Sequence, residues 1–165
     1  MSAPETPRDP SLYRPNVGLA LFHQNGLVFY GKRAATPPPF VWQMPQGGVD
    51  ADEAPEAAAL RELEEEIGVP PQLVDILEAT PDWLFYDFPE GIRAGKGPHG
   101  PWRGQRQKWF ALRFLGEDTD IKLDLHTPEF IDWRWGALSE APSLVIPFKR
   151  AIYEAVAQRF KHYAA

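Results

Sequence analysis

The chain has 165 residues and a formal net charge of −6, with 17 Lys and Arg against 23 Asp and Glu. Its 44% of hydrophobic and 24% of charged residues are typical of one globular domain with its own core. Cysteine is absent, which excludes a disulfide scaffold, thiolate metal ligands and a cysteine nucleophile. Because no apolar run reaches the length of a membrane helix and residues 1–10 carry no signal region, we expect a cytoplasmic protein without a membrane partner.

The negative charge is concentrated in one stretch of the sequence. Residues 50–66 contain eight Asp and Glu and a single cation, Arg61, so this stretch carries −7 and the rest of the chain +1. A second stretch, from Arg93 to Lys108, holds only positive charges. The acidic balance argues against a general nucleic-acid coat protein, and no DNA partner is expected.

The predicted elements alternate between short strands and two helices. Residues 1–12 are rich in proline and predict a flexible tail. Strands are expected over 17–22 and 27–32, joined by an Asn25-Gly26 hairpin turn. After a loop at 36–39 and a short extended piece at 42–45, a helix is predicted over 54–67. Further strands are expected over 75–80, 83–88, 107–114 and 130–135, a long loop over 89–101, and a closing helix over 147–163.

The predicted helix over 54–67 carries a cluster of carboxylates. Asp52 is the expected N-cap, and Gly68 is expected to end the helix. Glu62, Glu65 and Glu66 are spaced i, i+3 and i+4, so they share one face. Such a face is either simply solvated or a site for a hard cation such as Mg²⁺, which prefers oxygen ligands.

The pattern around this helix matches every fixed position of the Nudix box. Gly47 is followed after five residues by Glu53 and, after seven more, by the segment Arg61-Glu62-Leu63-Glu64-Glu65-Glu66-Ile67-Gly68-Val69. The chain is therefore identified as a member of the Nudix hydrolases. The resemblance implies an α+β fold, in which a mixed sheet is sandwiched between α-helices in a single domain over 13–163. It also implies hydrolysis of phosphoanhydrides with Mg²⁺, for which Mn²⁺ or another divalent cation can substitute.

The resemblance also assigns roles to residues of the box. Glu62, Glu65 and Glu66 correspond to the metal-binding and catalytic carboxylates. Glu53 and Arg61, which are counted with the catalytic residues, correspond to a pair that usually braces the loop against the helix. Glu53 is in some members a more distant metal ligand. A tight turn at Gly47 and Gly48 is expected to let the backbone approach the metal, so Gly47 is counted with the metal site.

Segments outside the box resemble a narrower group. Residues 13–18, 42–48, 104–110, 127–130, 133–135 and 148–150 are similar to those of bacterial RNA pyrophosphohydrolases. That group overlaps in sequence with dinucleoside polyphosphate hydrolases, including the asymmetric diadenosine tetraphosphate hydrolases of plants. The resemblance covers residues 13 to about 160.

This resemblance implies a second set of site residues. Glu129 corresponds to a further carboxylate at the metal and phosphate site, a candidate ligand or general base; without the resemblance it is a polar residue at a strand start. Arg33 and Phe148 correspond to residues that sandwich a base, although Phe148 could be a core aromatic. The implied phosphate contacts are Arg14 and Lys149, with Gln105 and Lys108 as further candidates. Lys108 could equally face solvent.

The sequence departs from the bacterial pattern between residues 89 and 103. The segment 83–89 is closer to the dinucleoside polyphosphate type, and the loop after it carries Arg93, Lys96 and Arg103. A basic loop beside a metal site would suit a polyphosphate or an RNA 5′ end. The same loop could simply be a solvated one.

We therefore expect an enzyme that removes pyrophosphate from the 5′-triphosphate end of RNA and leaves a monophosphate. The alternative is cleavage of diadenosine tetraphosphate or pentaphosphate with ATP as one product. An inactive Nudix domain that only binds nucleotides or RNA is a third possibility, against which the intact set of carboxylates argues.

Overall fold

The computed structural model describes residues 8–34, 36–89 and 101–165. Within these residues, eight strands form one mixed sheet with helices on both faces. The strands are β1 (Tyr13–Phe22), β2 (Val28–Arg33), β3 (Trp42–Gln43), β4 (Gln46–Gly48), β5 (Val74–Ala79), β6 (Leu84–Asp87), β7 (Gly104–Phe114) and β8 (Phe130–Gly136). The helices are α1 (Pro55–Ile67), the short α2 (Ala141–Leu144) and α3 (Arg150–Phe160), with short 3₁₀ turns between elements. No described helix has the length and apolar character needed to cross a bilayer.

The centre of the sheet is a long parallel pair, β1 with β7. The pair runs in register from Tyr13 opposite Gly104 to Phe22 opposite Arg113. The other edge of β1 pairs antiparallel with β4 and, through the hairpin, with β2. The free edge of β7 pairs antiparallel with β5 and β6, and β8 pairs with β2. This arrangement brings β4, β1, β7 and β6 side by side.

Two buried clusters lie on the two faces of the sheet. Alternate residues of β1 point to opposite faces, so Leu19 and Leu21 pack against α1 while Ala20 and Phe22 pack against α3. One stripe of the closing helix is buried against the sheet and consists of Ile152, Val156 and Phe160. The expected α+β architecture, a mixed sheet between helices, is confirmed.

Most predicted strands are correct to within a residue or two, but the central pair is longer than expected. β1 begins at Tyr13 and β7 at Gly104, because each strand continues as long as it has the other as partner. The closing helix is shorter than predicted: 3₁₀ turns, Pro147–Lys149 and Lys161–Tyr163, flank α3 on both sides. Residues 1–7 of the predicted tail lie outside the described residues, and Pro10–Leu12 form a 3₁₀ turn.

The ends of α1 confirm one predicted cap and correct the other. Gly68 ends the helix at φ 74°, and its N–H bonds the carbonyl of Glu64. Asp52 is not the N-cap, since that position is Ala54, which makes no side-chain cap. Asp52 lies earlier, at φ 63°, in the left-handed region that Asp tolerates better than most residues. Pro55, with its fixed φ, begins the helix instead.

The predicted tight turn at Gly47 and Gly48 is also wrong. Both residues belong to β4 and pair with Val17 and Asn16 of β1. The pairing extends the backbone at this point, and the approach of these glycines to the metal stays a prediction.

Candidate active site

The three clustered glutamates lie along the side of α1 that faces β4. Glu62 is enclosed, with 13% of its side chain exposed, whereas Glu65 is 44% exposed. Gly47 lies directly against Glu62, because a Cβ on Gly47 would overlap the Glu62 carboxylate. The absence of a side chain at residue 47 therefore makes room for this carboxylate.

Arg61 holds the loop before α1 and two of the glutamates together. Its Nε and Nη2 donate to the two oxygens of Glu53, both at 2.8 Å, and Nη2 also donates to the carbonyl of Gly48 at 2.9 Å. Its Nη1 donates to Glu62 at 2.9 Å and to Glu65 at 3.2 Å. The hydrogen bonds from Arg61 are the main reason that the pKa of Glu53 falls to about 2. The geometry is that of the brace expected from the sequence.

Glu66 is the most strongly perturbed of the carboxylates. Burial raises its pKa well above the ordinary value, and the negative charges of Glu62 and Glu129 raise it further, while Arg33 opposes the rise. Its Oε2 atom is buried and has no hydrogen-bond partner among the described residues. Burial likewise raises the pKa of Glu62, against the effect of Arg61. A buried oxygen without a partner is costly unless something else binds it.

A cavity of about 330 Å³ connects these glutamates with the loop before β8. Its lining consists of Glu62, Glu65, Glu66, His126, Thr127 and Glu129. Glu129 immediately precedes β8 and is exposed. The structure thus brings Glu129 to the carboxylates of α1 from a distant part of the chain. His126 and Thr127 were not predicted, because their position depends on where this loop folds back.

A second cavity, of about 260 Å³, continues from the first one past β4. It shares Glu62, Glu66 and Glu129 with the first cavity and adds the cations Arg14 and Arg33. The Arg14 guanidinium lies over Gly48, since a Cβ there would be 2.8 Å from Nη2. Cations that face carboxylates across an open cleft suit a ligand that is itself anionic.

A third cavity, of about 310 Å³, shares Arg33, Gln43, Gln46 and Gln105 with the second one. Aromatic side chains dominate the rest of its lining, which includes Phe40, Trp42, Tyr86, Phe88 and Phe148. Phe148 is half-buried and its ring lies 5.8 Å from that of Tyr86. We call this space the aromatic cavity. Flat rings and amide groups around an enclosed space suit a nucleobase.

Lys149 lies beneath the aromatic cavity instead of in open solvent. It is 7% exposed, and its Nζ donates to Oε1 of Gln46 at 3.3 Å. Burial lowers its pKa to about 8, and the neighbouring charge of Arg33 contributes to that shift. Lys149 therefore reaches the cavity with its ammonium group already held by the protein.

The remaining cations predicted for the site are Lys108 and those of the basic loop. Lys108 alternates with Gln107 and Trp109 on β7, so it points to the α1 face and lines none of the three cavities. In the basic loop, Arg93 and Lys96 lie outside the described residues. Arg103 forms an ion pair with Asp87 at 3.3 Å. The proposed roles of these cations stay predictions.

A larger cavity, of about 410 Å³, lies elsewhere, between the β1–β2 hairpin and the C-terminal helices. Its lining in the described part of the chain includes Leu27, Leu138 and Ala157, and none of the residues predicted for the site. Size alone therefore does not mark the active site.

The residues present fit a hard divalent cation. In residues 8–34, 36–89 and 101–165, no three Asp, Glu, His or Cys side chains already surround a common point as ligands. Two of the carboxylates, Glu62 and Glu65, face Arg61 instead. The donor set nevertheless consists of oxygens, which Mg²⁺ prefers, and within the described ranges the buried Oε2 of Glu66 has no hydrogen-bond partner. Glu62, Glu65, Glu66 and Glu129 are the residues that would hold the ion.

Comparisons with known proteins show the family of this chain. A family model described as the NUDIX domain matches residues 12–157. The RNA pyrophosphohydrolase of Acidiphilium cryptum is 52% identical over 155 residues, which is 92% of each chain. The enzyme of the same name from Caulobacter vibrioides is 50% identical over 161 residues, covering 96% of this chain and 92% of its own.

Solved structures show the same fold at low sequence identity. The dihydroneopterin triphosphate pyrophosphohydrolase of E. coli superposes with a TM-score of 0.67 at 20% identity, over 89% of this chain and 98% of that one. The Ap4A hydrolase of C. elegans gives a TM-score of 0.61 at 22% identity, over 93% and 99%. Together with the family match, the carboxylate helix and its brace, these likenesses lead to one conclusion: the chain belongs to the Nudix family and is a hydrolase that acts on phosphoanhydride bonds.

Proposed function

We propose that this protein removes pyrophosphate from the 5′-triphosphate end of RNA and leaves a 5′-monophosphate. The observation that carries the proposal is the continuity of the three cavities. The first cavity is lined by carboxylates, the second adds two arginines, and the third is the aromatic cavity. They follow one another in this order, and neighbouring cavities share walls. That order suits a metal-bound polyphosphate that is joined to a nucleobase. The names of the relatives at 52% and 50% identity support RNA as the substrate.

Each part of the cleft has a role in this reaction. When bound, Mg²⁺ or Mn²⁺ neutralises phosphate oxygens and lowers the pKa of a bound water. Arg14 and Lys149 hold the phosphates by charge-assisted hydrogen bonds. Phe148 and Arg33 stack on a base, which positions the chain of phosphates over the carboxylates. Glu129, exposed and not held by Arg61, is available to accept the proton of the attacking water.

The compartment that we propose, the cytoplasm, follows from the substrate, because a 5′-triphosphate is the unprocessed end of a transcript.

The two candidate substrates share one feature: in both RNA and the dinucleoside polyphosphates, a base is followed by a polyphosphate. A direct comparison of the two is therefore the required test.

The experiment measures kcat/KM with Mg²⁺ in one buffer on a 5′-triphosphorylated RNA oligomer and on diadenosine tetraphosphate. We expect pyrophosphate and a 5′-monophosphorylated oligomer as products, and a higher kcat/KM on RNA. A higher kcat/KM on diadenosine tetraphosphate, with ATP released, would replace the proposal by the dinucleoside polyphosphate alternative. No turnover of either substrate would indicate a domain that only binds.

A further inference from the structure

The aromatic cavity and the second cavity, which Arg14 and Arg33 line, share a wall. A buried network of polar side chains lies behind this wall. Its centre is Gln107 on β7, which is 1% exposed and lines none of the three cavities. Gln107 Nε2 lies 2.9 Å from Oδ1 of Asn16 and 3.3 Å from Oε1 of Gln46. The network thus joins residues of β1, β4 and β7 underneath the site.

The orientation of the Gln107 amide follows from its neighbours. The indole N–H of Trp109 can only donate, and it donates to Oε1 of Gln107 at 2.9 Å. The NH₂ group of Gln107 must therefore point toward the oxygens of Asn16 and Gln46. Lys149, which also can only donate, binds the same Gln46 oxygen at 3.3 Å. The carbonyl end of Gln46 is therefore held by the protein from two sides.

Gln105 is oriented by Tyr86, which lies directly opposite it on β6. A Tyr hydroxyl can donate and accept, and because the Gln46 side chain donates to the hydroxyl of Tyr86, its hydrogen is left for Gln105. The Tyr86 hydroxyl donates to Oε1 of Gln105 at 2.5 Å, and Nε2 of Gln107 lies 3.5 Å from the same oxygen. Burial raises the pKa of Tyr86, and a hydrogen bond from the Gln46 side chain opposes the rise. With its oxygen occupied, Gln105 has its NH₂ group left for the two cavities that it lines.

We propose that Tyr86 is a positioning residue that holds the Gln105 amide with its NH₂ group toward the substrate. A free glutamine side chain can present either its oxygen or its NH₂ group to a ligand. Held in this way, Gln105 presents only donors, as do its neighbours Arg14 and Arg33. The wall then binds acceptors, which are phosphate oxygens and the ring nitrogens and carbonyls of a base. This inference rests on the proposed function, which supplies a substrate with such acceptors.

The test removes the Tyr86 hydroxyl and leaves its ring in place. For Tyr86→Phe we expect the KM for a 5′-triphosphorylated RNA oligomer to rise about tenfold, with kcat within about twofold, because a ground-state hydrogen bond is weakened. Gln105→Met should produce a similar rise. The double variant should be no worse than Gln105→Met alone, because Tyr86 acts through Gln105. Tyr30→Phe is the matched control, since the Tyr30 hydroxyl is bonded to the carbonyl of Ala137, Tyr30 is buried and it lines none of these cavities.

Two results would overturn the inference. One is a wild-type KM for Tyr86→Phe, and the other is a full additional loss when Tyr86→Phe is combined with Gln105→Met, which would indicate a general effect on packing. If the wild-type protein does not hydrolyse RNA, the proposed function fails. The same variants are then compared by their dissociation constants for ADP, and the same non-additivity decides on the positioning role.

Discussion

Arg61 binds both oxygens of the Glu53 carboxylate at 2.8 Å and uses its remaining nitrogen to reach Glu62 and Glu65. One guanidinium thus connects the loop before α1 with two of the residues that would hold the metal. Arg61 balances carboxylates that would otherwise repel one another, and it holds Glu62 and Glu65 by hydrogen bonds.

Glu53 acts on the metal ligands through Arg61. Removing the charge of Glu53 should therefore weaken metal binding, although Glu53 itself does not contact the ion. For Glu53→Gln we expect kcat/KM to fall about 10- to 100-fold, the usual effect of losing an outer partner of metal ligands. Part of this loss should be recovered at high Mg²⁺ concentration. Titration of activity with Mg²⁺ measures the effect. Glu64→Gln is the control, an exposed glutamate on the same helix, and an equal loss there would contradict the account.

The same pair predicts a dependence of stability on pH. The pKa of Glu53 is about 2 in the folded protein, against an ordinary value of 4.5. A lowered pKa contributes stability above pH 4.5 and loses it as the pH falls from 4.5 toward 2. The difference in unfolding free energy between the wild type and Glu53→Gln should thus shrink over this range in urea denaturation. A difference that stays constant between pH 7 and pH 2.5 would show that the brace does not stabilise the fold.

Gly47 and Gly48 provide a matched pair of substitutions on one strand. Gly47→Ala would place a methyl group on the Glu62 carboxylate, so we expect a loss of kcat of at least about tenfold from displaced metal ligands. Gly48→Ala meets only the end of the flexible Arg14 side chain, 2.8 Å away, and should mainly change KM. Steady-state kinetics of both variants measure this. Equal effects on kcat would contradict the role assigned to Gly47.

Phe148 is expected to bind a base and not only to pack in the core. Phe148→Ala should raise the KM for RNA by a factor that corresponds to about 1–3 kcal/mol, the value of one stacked base. Phe148→Tyr retains the ring and should remain near wild type. If Phe148→Ala lowers the melting temperature but leaves KM unchanged, Phe148 is a core aromatic, the alternative that the sequence left open.

Local sequence signals account for what was predicted of α1 and its carboxylates. Spacing along one helix places Glu62, Glu65 and Glu66 on one side, and Gly68 ends that helix at positive φ. Both features depend on neighbouring residues alone. The prediction of Asp52 as the N-cap was wrong, because the residue at which the helix begins depends on how the preceding loop packs. The resemblance to a family supplied Glu129, which no local pattern would have singled out.

The network behind the cleft depends on strand pairing, and a single sequence does not specify that pairing. Tyr86 meets Gln105 only because β6 pairs with β7 in one register, and Asn16 meets Gln107 only through the parallel pair of β1 and β7. Both Tyr86 and Gln107 lie on predicted strands. Alternation along a strand therefore indicated a face for each of them, but not a partner.

The most direct test of the central claim is the Mg²⁺-dependent turnover of 5′-triphosphorylated RNA by Glu65→Gln, measured together with its Mn²⁺ dissociation constant by electron paramagnetic resonance. If the carboxylates of α1 hold the catalytic cation, kcat should fall by more than about 100-fold and Mn²⁺ affinity should fall with it, because a direct ligand matters more than an outer partner. The circular dichroism spectrum and melting temperature should stay close to those of the wild type, since Glu65 is 44% exposed. Near-normal turnover and Mn²⁺ affinity in this variant would contradict the assignment of the metal site.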